Sequence, residues 1–307
     1  MRLWLFLPTL LLACTPSETA ADDLSPETET ETDAPRATLV SDDQPDPFAQ
    51  YWYAGKAEVN SYDLQQSRYG QTRSGDAVLV FVTEPFLEEQ QVKADDPNNG
   101  GAVTVLKTNA MRKFHTGIYD YSTMLSVFTP VSTDRYPKTL KTTFSGQDWC
   151  GQVFQQLNLD GGNYRTEVRS YFETEGDANE RMKATLLEDE LLNRIRLDPT
   201  ALPTGTVDLI PGALYARLLH RDQTPKQTRV ALDEGNQTTT LTVEYLHVDR
   251  TLRVEFETRF PHKILNWSER DGEYTSIATL RETLLTPYWS QNGRQYQGLR
   301  DSLQLIY

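Results

Sequence analysis

Two cysteines, Cys14 and Cys150, and four histidines, His115, His220, His247 and His262, are all that 307 residues carry of these types. No two histidines are close in sequence, so a metal site would need them, or carboxylates, to converge in space. The chain has no basic block and no zinc-ligand cluster, which argues against a nucleic-acid surface. It has no G-x-S-x-G nucleophile elbow and no G-x-x-x-x-G-K-[ST] phosphate loop, and no other motif calls for a cofactor. No apolar run approaches the roughly 20 residues that span a hydrocarbon core.

The longest apolar run is Trp4 to Ala13, preceded by Arg2 and interrupted by Pro8 and Thr9. Its length and position fit a signal segment and not a permanent helix. It ends in Leu11-Leu12-Ala13-Cys14, which resembles the lipobox of bacterial lipoproteins. The resemblance implies cleavage before Cys14, acylation of that residue and attachment to a membrane through the lipid. It also implies a bacterial cell envelope location on the periplasmic face. Thr15 lacks the acidic character that retains such proteins in the inner membrane, so the outer membrane is expected.

Residues 15–47 hold ten acidic side chains against Arg36 alone, so they account for most of the net charge of −14. With five prolines and a single apolar pair, Leu39-Val40, this stretch cannot offset its own ordering entropy. Residues 14–47 are therefore expected to form an acylated cysteine and a disordered acidic tether, after a signal peptide at 1–13. Residues 48–307 are expected to form one β-rich globular domain or two packed halves. Once Cys14 is acylated, Cys150 stands alone, and a lone thiol in an oxidising compartment is best buried.

Period-two alternation dominates the domain. In Asn163–Phe172, Tyr164, Thr166, Val168, Ser170 and Phe172 share one face, and Arg165, Glu167 and Arg169 the other. Gly161-Gly162 is a hairpin turn joining this strand to Gln152–Asn158. Leu241, Val243 and Tyr245 alternate similarly, as do Leu252, Val254 and Phe256. Asp271-Gly272 marks a turn between Lys263–Glu269 and Tyr274–Leu284. Further strands are expected at 56–66, 77–83, 103–109, 121–128 and 139–145. A helix is expected over Met182–Leu197, with Leu187, Leu191 and Ile195 on one side and Pro199 ending it. Leu214–His220 reads as a helical turn or short strand. The fold class is mainly β: a large antiparallel curved sheet or open barrel with one or two accessory helices.

Five segments carry a further likeness: Arg68-Tyr69-Gly70, Val82-Thr83-Glu84, Thr116-Gly117-Ile118-Tyr119, Trp149-Cys150-Gly151 and Ser170–Gly176. Through them the chain resembles a poorly characterised family of periplasmic lipoproteins, to which no catalytic role attaches. The strand layout also resembles curved half-barrel domains of unknown function.

Candidate chemistry is sparse. Asp148-Trp149-Cys150-Gly151 lacks the second cysteine of a thioredoxin-type site, so Trp149 and Cys150 are expected to pack where a strand begins. The richest polar-aromatic set is His115, Tyr119, Tyr121, Trp149 and Cys150, in which His115 and Cys150 would be the base and nucleophile of a hydrolase. Glu173, Glu175 and Asp177, joined by Glu188, Asp189 and Glu190, would be the ligands of a bound calcium ion. The leading expectation is a non-catalytic envelope protein that binds a hydrophobic ligand or another envelope component in a concave sheet, the candidate ligands being a lipid, a glycan or a peptide. The alternatives are a structural or assembly protein with an envelope protein partner, and a hydrolase with an unrecognised site.

Overall fold

The computed structural model describes residues 46–307. Its core is one sheet of 16 strands. In chain order these are β1 (Ala57–Arg68), β2 (Gln71–Leu87), β3 (Val92–Lys93), β4 (Ala102–Thr116), β5 (Tyr119–Pro130) and β6 (Lys141–Gln147). There follow β7 (Gln152–Asp160), β8 (Asn163–Ser170), β9 (Ala178–Lys183), β10 (Leu186–Leu187) and β11 (Gly205–Ile210). The last five are β12 (Lys226–Glu234), β13 (Thr238–Tyr245), β14 (Arg250–Glu257), β15 (Ile264–Asp271) and β16 (Tyr274–Thr286). Four short α-helices accompany them: α1 (Pro47–Trp52), α2 (Leu191–Leu197), α3 (Ala213–Leu218) and α4 (Gly298–Ser302).

The spatial order is β10-β11-β12-β13-β14-β15-β16-β1-β2-β4-β5-β6-β7-β8-β9, with β3 beside the end of β2. Every pairing is antiparallel except β10 with β11. The sheet thus grows from β1 in both directions, by hairpins on one side and by the returning C-terminal strands on the other. It curls without closing, because its two end strands, β9 and β10, are not paired with each other. Side chains cross the seam instead: Leu157 and Tyr164 pack with Leu187 and Ile210.

The turns follow the sequence signals. Gly161 and Gly162, both at positive φ (54° and 85°), form the two-residue hairpin between β7 and β8, a backbone that side-chain-bearing residues adopt poorly. Gly272 at φ 59° makes the β15–β16 turn. Alternation sets the core: Leu241, Val243, Leu252, Val254 and Phe256 are all buried on the concave face.

The interior is not left empty. Segment 186–219 leaves the sheet at β10 and carries α2 through the concave side. The expected helix over Met182–Leu197 is therefore shorter: Met182 belongs to β9, and Leu186 and Leu187 pair in parallel with Leu209 and Ile210. The apolar side of α2, Leu191 and Ile195, joins the main core. Its other side is polar and equally buried. Arg196 and Glu58 are both fully buried and form a bidentate pair, one arm at 2.7 Å. Asn193 donates to Leu106 O and Thr129 Oγ1, each at 3.0 Å. Glu190 accepts from Thr139 and from Leu187 N.

α1 begins at Pro47, inside the stretch expected to be tether, with Asp46 as its cap. It sits against Phe260 in the β14–β15 turn, and Trp52 plugs that end of the barrel. α4 braces the outer wall, where Leu303 packs on Val59, Val80 and Val82. Cys14 and the rest of the expected signal and tether lie outside the described residues. No helix among the described residues is long and apolar enough to cross a membrane.

Candidate ligand site beneath α3

Six hairpin turns, β1–β2, β4–β5, β6–β7, β8–β9, β13–β14 and β15–β16, lie at one end of the barrel, because consecutive antiparallel registers place them there. We call this end the mouth. The α1 end lies opposite. α3 follows β11 at the mouth and covers the interior.

Three kinds of contact hold α3. At its start the Asp189 carboxylate accepts from Ala213 N at 3.1 Å. Gly212 precedes it, where an added Cβ would sit 2.7 Å from Glu188 Oε1 and would push that carboxylate aside. At its end, Arg68 donates to Leu218 O. The chain then turns through His220 at φ 52°, with Arg221 N bonded to Ala216 O at 2.8 Å, a C-terminal cap of the left-handed type. From the β8–β9 loop, Glu175 takes His220 Nδ1 at 2.9 Å and Arg217 at 3.4 Å.

Several cavities touch this one helix. A cavity of about 80 Å³ lies beneath it, lined by apolar side chains such as Leu79, Leu125, Leu192, Leu214 and Val254. One of about 390 Å³ lies between the helix and the β1–β2 and β15–β16 turns. A third, of about 40 Å³, lies towards the β6–β7 loop.

One wall of the central cavity is charged. Glu188 takes Arg250 and Tyr245, and the Arg250 guanidinium stacks 3.7 Å from the Tyr215 ring centre. Burial would raise the Glu269 carboxyl, but the charge and hydrogen bonds of Arg112 outweigh it and hold it below the usual range. Asp189 has no cation of its own. Burial, aided by the neighbouring Glu188 charge, pushes it up to about 7 despite the bond from Ala213 N. Its remaining accessible surface lines the cavity.

The structure divides the polar-aromatic set. His115 pairs with Asp120 across the β4–β5 hairpin, and Phe114 with Tyr121. Alternation therefore puts His115 and Asp120 on the outer face, where His115 meets Asp120 and packs tilted against Tyr307, ring centres 4.5 Å apart. Tyr121 turns inward, stacked on Phe114 at 4.9 Å; its hydroxyl meets that of Tyr69 at 2.8 Å and accepts from the Arg68 guanidinium at 3.1 Å. Tyr119 joins Tyr69. Trp149 and Cys150 are exposed, not packed: Asp148 folds the loop by accepting from Cys150 N and Gly151 N. His115 and Cys150 stand on different hairpins and His115 faces outward, so the base–nucleophile pair does not form.

The acidic set does not form a cation site either. Residues 171–176 make a turn and not a strand, so Glu173 and Glu175 lose the shared face expected of them. Glu175 is taken by Arg217 and His220, and Asp177 lies 4.0 Å from Arg169. Glu188, Asp189 and Glu190 lie inside the barrel. Among the described residues no group of three or more His, Cys, Asp or Glu side chains is arranged to hold a metal ion.

Sequence reasoning missed Arg68, Arg112, Arg250 and Glu269, and took Glu188 and Asp189 for cation ligands and not for the wall of an apolar cavity. Arg68 stood in a segment noted only for its family likeness. The others carried no local mark, since a buried charge and a solvated one look alike in an alternating strand.

No protein-family model matches the chain. No curated protein matches it in sequence. Among solved structures it is similar to a crystal structure of a beta-barrel-like protein of domain of unknown function DUF1849 from Brucella abortus. The identity is 12%, the TM-score 0.47, and the match covers 75% of this chain and 98% of that one.

Proposed function

We propose that the protein is a non-catalytic binding protein of the bacterial envelope, held to a membrane through Cys14, that takes an apolar ligand into its concave interior beneath α3. The observation that carries this reading is the position of α3. Apolar cavities lie under and beside a helix of six residues that packs on the sheet through Ala213, Leu214 and Leu218 and is otherwise held by polar contacts at its two ends. The central cavity as it stands accepts only a few ligand atoms, since dry cavities that hold benzene measure about 150 Å³. A ligand with a longer chain enters when α3 lifts and the cavities join. The apolar lining supplies the affinity, and Asp189, the one charged group there without an arginine, meets a polar end of the ligand.

The test is native mass spectrometry of the full chain released from envelopes without harsh detergent, with analysis of its organic extract. A stoichiometric apolar adduct, lost when Leu214→Arg fills the central cavity, is the expected result. A clean apo mass, together with no uptake of fatty acid or phospholipid on incubation, would sink the reading and move the search to protein partners.

A further inference from the structure

The mouth is ringed by large apolar side chains that stand exposed among the described residues. Tyr69 sits in the β1–β2 turn, Ile118 in β4–β5, Trp149 in β6–β7, Tyr171 in β8–β9, Val248 in β13–β14 and Tyr274 at β15–β16. Apart from Val248 at 43%, they are between 53% and 85% exposed. The antiparallel registers bring all six turns to one level, although the residues are spread over more than 200 positions of sequence. Neighbours along the ring are in reach of each other. Tyr274 lies beside Gly70, and the ring of Tyr171 fills the place where Gly151 would carry a Cβ. An exposed aromatic at one turn needs no explanation, but one at turn after turn of the same end does.

We propose that this rim is a docking surface for the neutral headgroup zone of a lipid bilayer. Tyrosine and tryptophan with a protruding aliphatic residue are the side chains that settle at a membrane–water boundary, where one end of each ring is apolar and the other wet. Charge selects the kind of headgroup. The rim turns carry Asp148, Glu173, Asp177, Asp249 and Glu273 beside Arg68, Arg221 and Arg270; Asp249 and Arg270 pair at 2.6 Å, and Glu175 is taken by Arg217 and His220. There is no basic excess to draw anionic lipids. The remainder of the chain fits this orientation. The 45 residues before Asp46 join the described structure at α1, on the opposite end, so the mouth is the end presented away from that junction. Docking there sets α3 against the lipid surface. The inference stands whether or not the interior binds a ligand.

The experiment uses the full chain with Trp4→Phe, so that the N-terminal segment does not report. It is mixed with phosphatidylcholine vesicles brominated near the headgroup end of the acyl chains, and binding is followed by flotation. Of the tryptophans in the described residues, Trp149 and Trp289 are exposed and Trp52 and Trp267 are buried. The expected result is bromine quenching that Trp149→Phe abolishes, that Ile118→Ser weakens, and that Trp289→Phe leaves in place. Ile118 is 85% exposed, so its loss does not threaten the fold. Three results would overturn the proposal. The first is an absence of quenching, whether or not the protein floats. The second is quenching abolished by Trp289→Phe instead, which assigns docking to the other end. The third is quenching only on phosphatidylserine vesicles, lost at high salt. If quenching is absent while the same rim substitutions release a crosslinked envelope protein, the rim is a protein interface.

Discussion

α2 and α3 are helices of similar length inside the same curved sheet, yet they are held in opposite ways. α2 is surrounded by buried polar groups from β1, β4 and β5 that pair with its own side chains. α3 is bounded by cavities, packs on Phe144 and Val153 through Ala213 and Leu214, and is held at its C-terminal end by partly exposed contacts from turns. A buried charge that loses its partner stays buried and uncompensated, whereas a rim contact that breaks is replaced by water. The first helix is therefore part of the core and the second is a cover. The difference lies in where the partners sit and not in helix propensity.

The largest test of this contrast is Arg196→Ala, which strands Glu58 in the interior. It is expected to cost about 3–5 kcal/mol in denaturant unfolding. An unchanged midpoint would mean that α2 is no more fixed than α3. Next comes Asp189→Asn. The Asp189 carboxyl is raised to about 7, so the folded protein holds a proton there that the unfolded chain has released above about pH 4. Its contribution to stability is full below the unfolded value and is lost as pH rises through about 7. Asn keeps an acceptor for Ala213 N and cannot ionise. The variant should therefore gain on the order of 3 kcal/mol relative to the parent at pH 8, and flatten the slope between pH 4 and 8 in thermal melts. A parallel pair of curves would remove Asp189 from that role.

Asn193→Leu removes the donor to Leu106 O and Thr129 Oγ1 and is expected to cost about 1–3 kcal/mol. The smallest effect on global stability belongs to Arg68→Ala, within about 1 kcal/mol, since its partners lie at the mouth. Its readout is local. Hydrogen exchange of the amides in 216–221 should accelerate while those of 191–197 stay slow. Equal acceleration in both helices would erase the distinction between core and cover.

Much of the sheet was legible because side-chain period and glycine position are local properties. The pairing of β7 and β8 about Gly161-Gly162 and the buried rows of β13 and β14 needed no knowledge of distant residues. β11, β12 and α1 were missed. Gly205–Ile210 is short and mixed in character, and Pro47–Trp52 follows an acidic stretch that masks its cap at Asp46. The start of α2 was misplaced because Leu186, Leu187 and Leu191 fit a helix face as well as a parallel edge strand. Little of the candidate site could be read. Glu58 finds Arg196 at 138 positions' distance, and Arg112 finds Glu269 at 157. The division of His115 from Tyr119 and Tyr121 needed the hairpin register and not the mere closeness of these residues in sequence.

The order of strands carries a consequence for how the chain is made. β1, the first strand to leave the ribosome, pairs along one edge with β2 at once, but its other edge waits for β16, with Ala57 opposite Thr286. Until nearly the whole protein is synthesised, a 12-residue strand offers an open row of peptide groups to any neighbouring chain. Translation that stalls anywhere before Tyr274 leaves that edge unprotected. Its inward row includes Tyr62 and Leu64, so truncated products should aggregate through the strand that is innermost in the finished sheet.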